Sequence, residues 1–229
     1  MREGLTAVLV PAAIAVGSLH TLAPDHWVPF AALARARHWS TCRTVATTAT
    51  CGLGHVTVSV LLGLLALFLG LEMMELLGRR MESVASVLLI AFGLAYGLIG
   101  LRRAFGRRLA DVHDHGGLAH HHPHVGAVTH HHDHGGRSMT AWTLFVLFCA
   151  DPCVAVVPIL FAAAPLGALN TTIIVGCYEL ATIATMVGLV LAAGAAATRV
   201  SGRWLNVYGD AAAGGIIAAV GIAVTIVGW

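Results

Sequence analysis

His20, Asp25 and His26 stand together in "SLHTLAPDHWVPF", with Pro24 between them. Imidazole and carboxylate groups are donors that suit a first-row divalent metal. Here they interrupt a run that otherwise reads as membrane, where desolvating them is costly. On an unbroken helix His20 and His26 would sit about 240° apart, and His20 and Asp25 about 140° apart, too far round to share one ion. Proline inside a helix removes a backbone hydrogen bond and clashes with the preceding turn. A break at Pro24 would let donors on either side of it point at one centre.

Further donors lie along the chain: His55 in "GLGHVTVS", Asp151 and Cys153 in "CADPCVAVVPIL", and Glu179 in "GCYEL". An ionised group at the centre of a span costs at least ~2.5 kcal/mol without a partner, so Asp151 and Glu179 need a task there. Cys149 and Cys153 are spaced to share a helix face and to offer soft ligands, but Pro152 interrupts that helix. Cys149 reads as packing, while Cys153 stays a candidate. The five cysteines, with Cys42, Cys51 and Cys177 as the others, are an odd count in or beside apolar runs. They argue against a disulfide framework.

The elements that must position these groups are membrane spans. The chain of 229 residues is 58% hydrophobic and 10% charged, which excludes an ordinary soluble globule. Apolar stretches at residues 5–19, 45–71, 83–101, 140–164, 171–197 and 211–229 predict six transmembrane helices. Arg2 ahead of the first stretch has the outline of a signal peptide, but no small-x-small cleavage site follows, and the segment is expected to stay as a span. Glu72, Glu75, Arg79 and Arg80 are expected to form a solvated connection between the second and third spans.

All 13 basic residues are arginine. Ten follow the first, third and fifth spans, and Arg2, Arg79 and Arg80 fall on the other side. That split predicts both termini outside and the long central loop in the cytoplasm, with the protein in the cytoplasmic (inner) membrane. The net charge of +2 gives no reason to expect a nucleic-acid partner.

The loop carries ten of the 14 histidines, within "DVHDHGGLAHHHPHVGAVTHHHDH". His113, His115, His120, His121, His122, His124, His130, His131, His132 and His134 form a metal-capture set. Clustered neutral imidazoles take Ni²⁺, Co²⁺, Cu²⁺ and Zn²⁺ with little discrimination. Glycine-rich sequence of this kind cannot bury a core.

Shifting the sequence by 128 positions places Pro24 on Pro152, Glu82 on Asp210, Gly93 on Gly221 and Gly100 on Gly228. Each half would hold three spans, so the second would insert upside down, as in transporters whose sites lie where discontinuous helices meet near the midplane. The expected organisation is all-α: a first repeat at 1–101, a histidine-rich loop at 102–138 and a second repeat at 139–229. Gly93 and Gly97, at small-x-x-x-small spacing, read as close helix packing.

"HTLAPDH" and "GLGHVTVS" give the chain a resemblance to the nickel/cobalt transporter superfamily, as a short six-helix member. The resemblance covers the first two spans well and the second half loosely. It implies a site on His20, Asp25, His26 and His55, with Ni²⁺ or Co²⁺ as transported substrate and neither an organic cofactor nor enzymatic activity. The central loop resembles the efflux branch and the aspartate the uptake branch, with export favoured and uptake the alternative. "ADPCVAVVPIL" also resembles the membrane thiol-disulfide carriers of the CcdA/DsbD type, which need a reactive cysteine in each half; here Cys153 faces Asp25 across the repeat. A membrane metal sensor or delivery protein is the third reading. The implied partners are metal ions and the bilayer, with room for a cytoplasmic metal donor or acceptor and for a second copy of the chain.

Overall fold

Every element of the computed structural model is helical, and the residues it describes are 2–69, 71–110, 134–151, 153, 155–197 and 203–227. The first is α1 (Arg2–His20), followed after a short turn by α2 (Pro24–Ala36), and the two axes meet at 54°. Proline disfavours the helical conformation for the residue before it, and Ala23 is extended (φ −55°, ψ 131°) with Pro24 opening α2, whereas Pro11 and Pro29 are carried inside α1 and α2. Leu22 N–H donates to the Leu19 carbonyl and Ala23 N–H to that of His20, both at 3.1 Å. The Thr21 hydroxyl donates to the Gly17 carbonyl at 2.6 Å. The break thus keeps its own polar groups paired, the condition for irregular backbone inside a membrane.

Then come α3 (Thr41–Leu69) and α4 (Leu71–Ala110). Helix α4 runs through Glu72, Glu75, Arg79 and Arg80, where the sequence suggested a solvated connection. No proline stops it between 71 and 110, and the Leu, Glu and Met residues there are strong helix formers. The second half contains α5 (His134–Ala150), the short α6 (Val156–Ala163) with a 3-10 turn at Ala164–Leu166, then α7 (Ala168–Ala197) and α8 (Arg203–Val227). Gly167 joins the turn to α7 at φ 92°, a conformation that favours glycine.

Thr41–Leu65, Ser83–Gly106, Ala168–Ala197 and Val207–Val227 are each long and apolar enough to cross a bilayer, and the bent α1/α2 pair brings the number to as many as five. Ala141–Ala150 and Val156–Leu166 are shorter apolar helices. Such a set is that of an integral membrane protein.

Helix α1 packs on α7, α3 on α7 and α5, and α2 on α7 and α8. The most extensive pair is α4 with α8. Gly93, Gly97 and Gly100 of α4 lie against Ala211, Gly214 and Ala218 of α8, so the two backbones touch. A Cβ at Gly214 would fall on the α4 backbone at Gly93 and Gly97, whereas one at Gly215 meets nothing within 4 Å. Gly214→Val is therefore expected to destabilise the protein by about 1–3 kcal/mol or more, the range for overpacking. Gly215→Val should leave it nearly unchanged, and thermal aggregation of the two detergent-solubilised variants compares them.

Two apolar layers form. One surrounds Val56, Ile174 and Tyr178; the other surrounds Phe30, Leu33, Leu144, Phe148, Met186 and Ile217. His55 adjoins Val56 of the first layer, and its ring centroid is 6.0 Å from that of Phe148 in the second. The polar centre is held between them.

Candidate metal centre

Three elements supply the centre. His20 is the last residue of α1, Asp25 and His26 lie in the first turn of α2, and His55 is in the interior of α3. Because the chain turns at Ala23, the ends of α1 and α2 approach each other. Ring centroids of His20 and His26 are 4.3 Å apart, those of His26 and His55 5.2 Å, and those of His20 and His55 6.4 Å. One ring nitrogen from each of the three lies within 4.8 Å of the other two. This is the sole His, Cys, Asp and Glu grouping of such geometry among the described residues.

Hydrogen bonds decide which nitrogens are free. His26 Nδ1 is 3.0 Å from Asp25 Oδ1, and His55 Nδ1 is 3.1 Å from the Phe148 carbonyl oxygen at the end of α5. A carbonyl only accepts, and so does an ionised carboxylate, so each Nδ1 carries the proton and donates it. The lone pairs are then on Nε2. Nε2 of His20, His26 and His55 are all buried without a hydrogen-bond partner. An orphaned buried polar atom costs about 1–3 kcal/mol, so three ring nitrogens together, two of them held as acceptors by the bonds at Nδ1, form a poor core and a good ligand set.

A divalent ion takes imidazole nitrogen at about 2.1 Å, which sets neighbouring nitrogens roughly 3–3.4 Å apart. The observed spacing reaches that with ring shifts on the order of 1 Å. Three neutral nitrogens suit a borderline first-row ion and leave coordination positions open for water or an entering group. The cluster can hold a metal ion.

Asp25 stands behind His26, with 12% of its side chain exposed. It orients the ring and fixes its tautomer, as carboxylates do behind metal-bound histidines. Asp151, at the bend after α5, shares a small cavity with Asp25 and Ser86 and stays outside the imidazole group. Cys153 is buried: its thiol pairs with the Tyr178 hydroxyl, and its N–H donates to Ser59 Oγ. Glu179 is half-buried on α7, also outside the group. His113 to His132 lie outside the described residues; His134 begins α5, with its side chain likewise undescribed.

A second polar cluster was not singled out in the sequence. Arg37 Nε donates to the Tyr96 hydroxyl at 2.6 Å, which donates to Asp210 Oδ1 at 2.7 Å. Arg103 Nη1 lies 3.7 Å from Asp210 Oδ2. The available signal was Asp210 as an acid leading into the apolar run of the last span.

Fold and centre together define a helical membrane protein with a buried three-imidazole site at a broken helix. No family model, curated protein or solved structure matches the chain.

Proposed function

We propose that the chain transports a divalent transition-metal ion, Ni²⁺ and/or Co²⁺, across the cytoplasmic membrane, as the resemblance to the nickel/cobalt transporter superfamily implies. The observation that carries this reading is the convergence of three buried, unpartnered Nε2 atoms from both sides of a helix break. The break is what lets donors on either side of it reach one ion, and a cargo ion needs its ligands on parts that can separate, here the three helices α1, α2 and α3. Helix order supports an inverted repeat of six spans: α1/α2, α3 and α4 would correspond to α5/α6, α7 and α8. The two halves then rock about an ion near the midplane. The arginine-rich face is assigned to the cytoplasm, with export favoured over uptake. Cys153, which a thiol carrier would need to expose, is buried against Tyr178, and metal transport is the reading adopted.

Protons compete with metal for imidazole, so affinity at the centre should fall as pH drops. Co²⁺ titrations at pH 7.5 and 5.5 test the sign, with the loop histidines replaced to remove their contribution. Deleting 111–134 is expected to change apparent affinity or regulation and leave a working pathway. Flux of Ni²⁺, Co²⁺, Zn²⁺ and Cu²⁺ into proteoliposomes, offered from each face, tests the function; absence of saturable flux for all four would overturn it.

A further inference from the structure

Helix α2 carries His26 and Asp25 in its first turn, and just past its last residue stands Arg37. Arg37 is held over the Tyr96 ring at 5.2 Å, bonded to the Tyr96 hydroxyl, and lies 3.6 Å from Asp210 Oδ1. Tyr96 belongs to α4 and Asp210 to α8, and Arg103 of α4 closes on the other Asp210 oxygen. One short rod therefore has ligand chemistry at one end and a charged tether at the other.

Between those ends lies the apolar layer of Phe30, Leu33, Leu144, Phe148 and Met186. No hydrated cation crosses such a layer while α2 rests on α8. On the opposite side the packing differs. A small cavity of about 20 Å³, with room for one water, lies beside Asp25 and Asp151. It is lined by Ala85 and Ser86, near the start of the α4 span, and by Val224, near the end of α8. These are the span ends away from Arg37, Arg103 and Asp210. A larger cavity of about 340 Å³ between α2, α7 and α8, lined by Arg35, Ala36 and Gly209, includes none of the three imidazoles in its lining. If the halves are inverted repeats, the counterpart of the α2/α8 contact is one between α6 and α4, and the described residues make no comparable contact there.

We propose that Arg37, Tyr96, Asp210 and Arg103 form the gate on the arginine-rich face, closed in this conformation, and that it must part for the ion to leave the imidazole centre toward that face. The inference rests on the transport reading. It assigns Tyr96 and Asp210 as positioning residues: they hold the far end of α2 without touching the ion. Passage requires α2 to leave α8, and α6 to settle on α4 in exchange.

An ideal Cβ at Gly209 of α8 would lie 3.9 Å from the Ala36 Cα, which puts the two Cα atoms no more than about 5.5 Å apart, within the Cα separation of disulfides. The test uses the full chain carrying Ala36→Cys and Gly209→Cys in proteoliposomes, with each single variant as a control against the native cysteines. Oxidised, the double variant should still bind Ni²⁺ with the affinity of its reduced form but lose its flux, which reductant restores. Adding Tyr96→Phe, which keeps the ring and removes the bridging hydroxyl, should slow formation of the 36–209 crosslink several-fold. Undiminished flux through fully crosslinked protein overturns the gate, as does a crosslinking rate indifferent to Tyr96→Phe. Absence of flux in the reduced protein and the native sequence alike would overturn the transport reading itself, a different result.

Discussion

Replacing His26 with alanine is expected to abolish Ni²⁺ or Co²⁺ flux in reconstituted vesicles while leaving the helical content unchanged. His26 is central to the cluster, with its ring between those of His20 and His55 at 4.3 and 5.2 Å. Removing it leaves two imidazoles whose centroids are 6.4 Å apart. Outer-shell changes at metal sites cost about 10–100-fold in affinity, and loss of a ligand should cost more. His55→Ala should act similarly, since His55 supplies the donor from α3 and is 2% exposed. His38, exposed after α2, is the control: His38→Ala should transport normally. Flux and equilibrium metal binding, measured on protein whose loop histidines are replaced, check all three variants. Normal flux in His26→Ala would remove the centre from the mechanism.

The second large effect is expected at Asp25. Its carboxylate accepts from His26 Nδ1 and so presents the Nε2 lone pair to the ion. Asn at this position can offer its amide N–H₂ to Nδ1, which favours the tautomer protonated on Nε2, so that the ion must shift that tautomer before His26 can bind it. It also removes the negative charge that steadies a dication in a region of low dielectric. Asp25→Asn should lower Ni²⁺ or Co²⁺ affinity by about 10–100-fold. The number of imidazoles around the bound ion, read by X-ray absorption, should stay the same. Were Asp25 itself a ligand, the same substitution would change the oxygen shell as well as the affinity, so the two measurements separate the roles.

The helix break was legible because Pro24 disfavours helix at Ala23 and stands among His20, Asp25 and His26; Pro11 and Pro29, with no such polar neighbours, are carried inside α1 and α2. His20, His26 and His55 were legible as donors out of place in apolar runs. Which nitrogen each would present was not, since His55 is set by the Phe148 carbonyl, contributed by a helix 93 residues away in sequence. Asp25 was visible as a donor, but its position behind His26 depends on the angle at which α2 departs. The Arg37, Tyr96 and Asp210 cluster escaped notice for a different reason. Arginines were weighed for membrane orientation and Asp210 for its match to Glu82, so a contact joining three helices had no local signature. Helix α4 likewise outran the apolar stretch that signalled it, because hydropathy marks where lipid begins and does not mark where a helix stops.

The most direct measurement is X-ray absorption on the full chain with the ten loop histidines replaced, loaded with one equivalent of Ni²⁺ or Co²⁺. The expected result is three imidazole nitrogens at about 2.1 Å from the ion, with the signal lost when His20, His26 and His55 are all changed to alanine. Equal metal uptake and an unchanged spectrum in that triple variant would contradict the proposed centre.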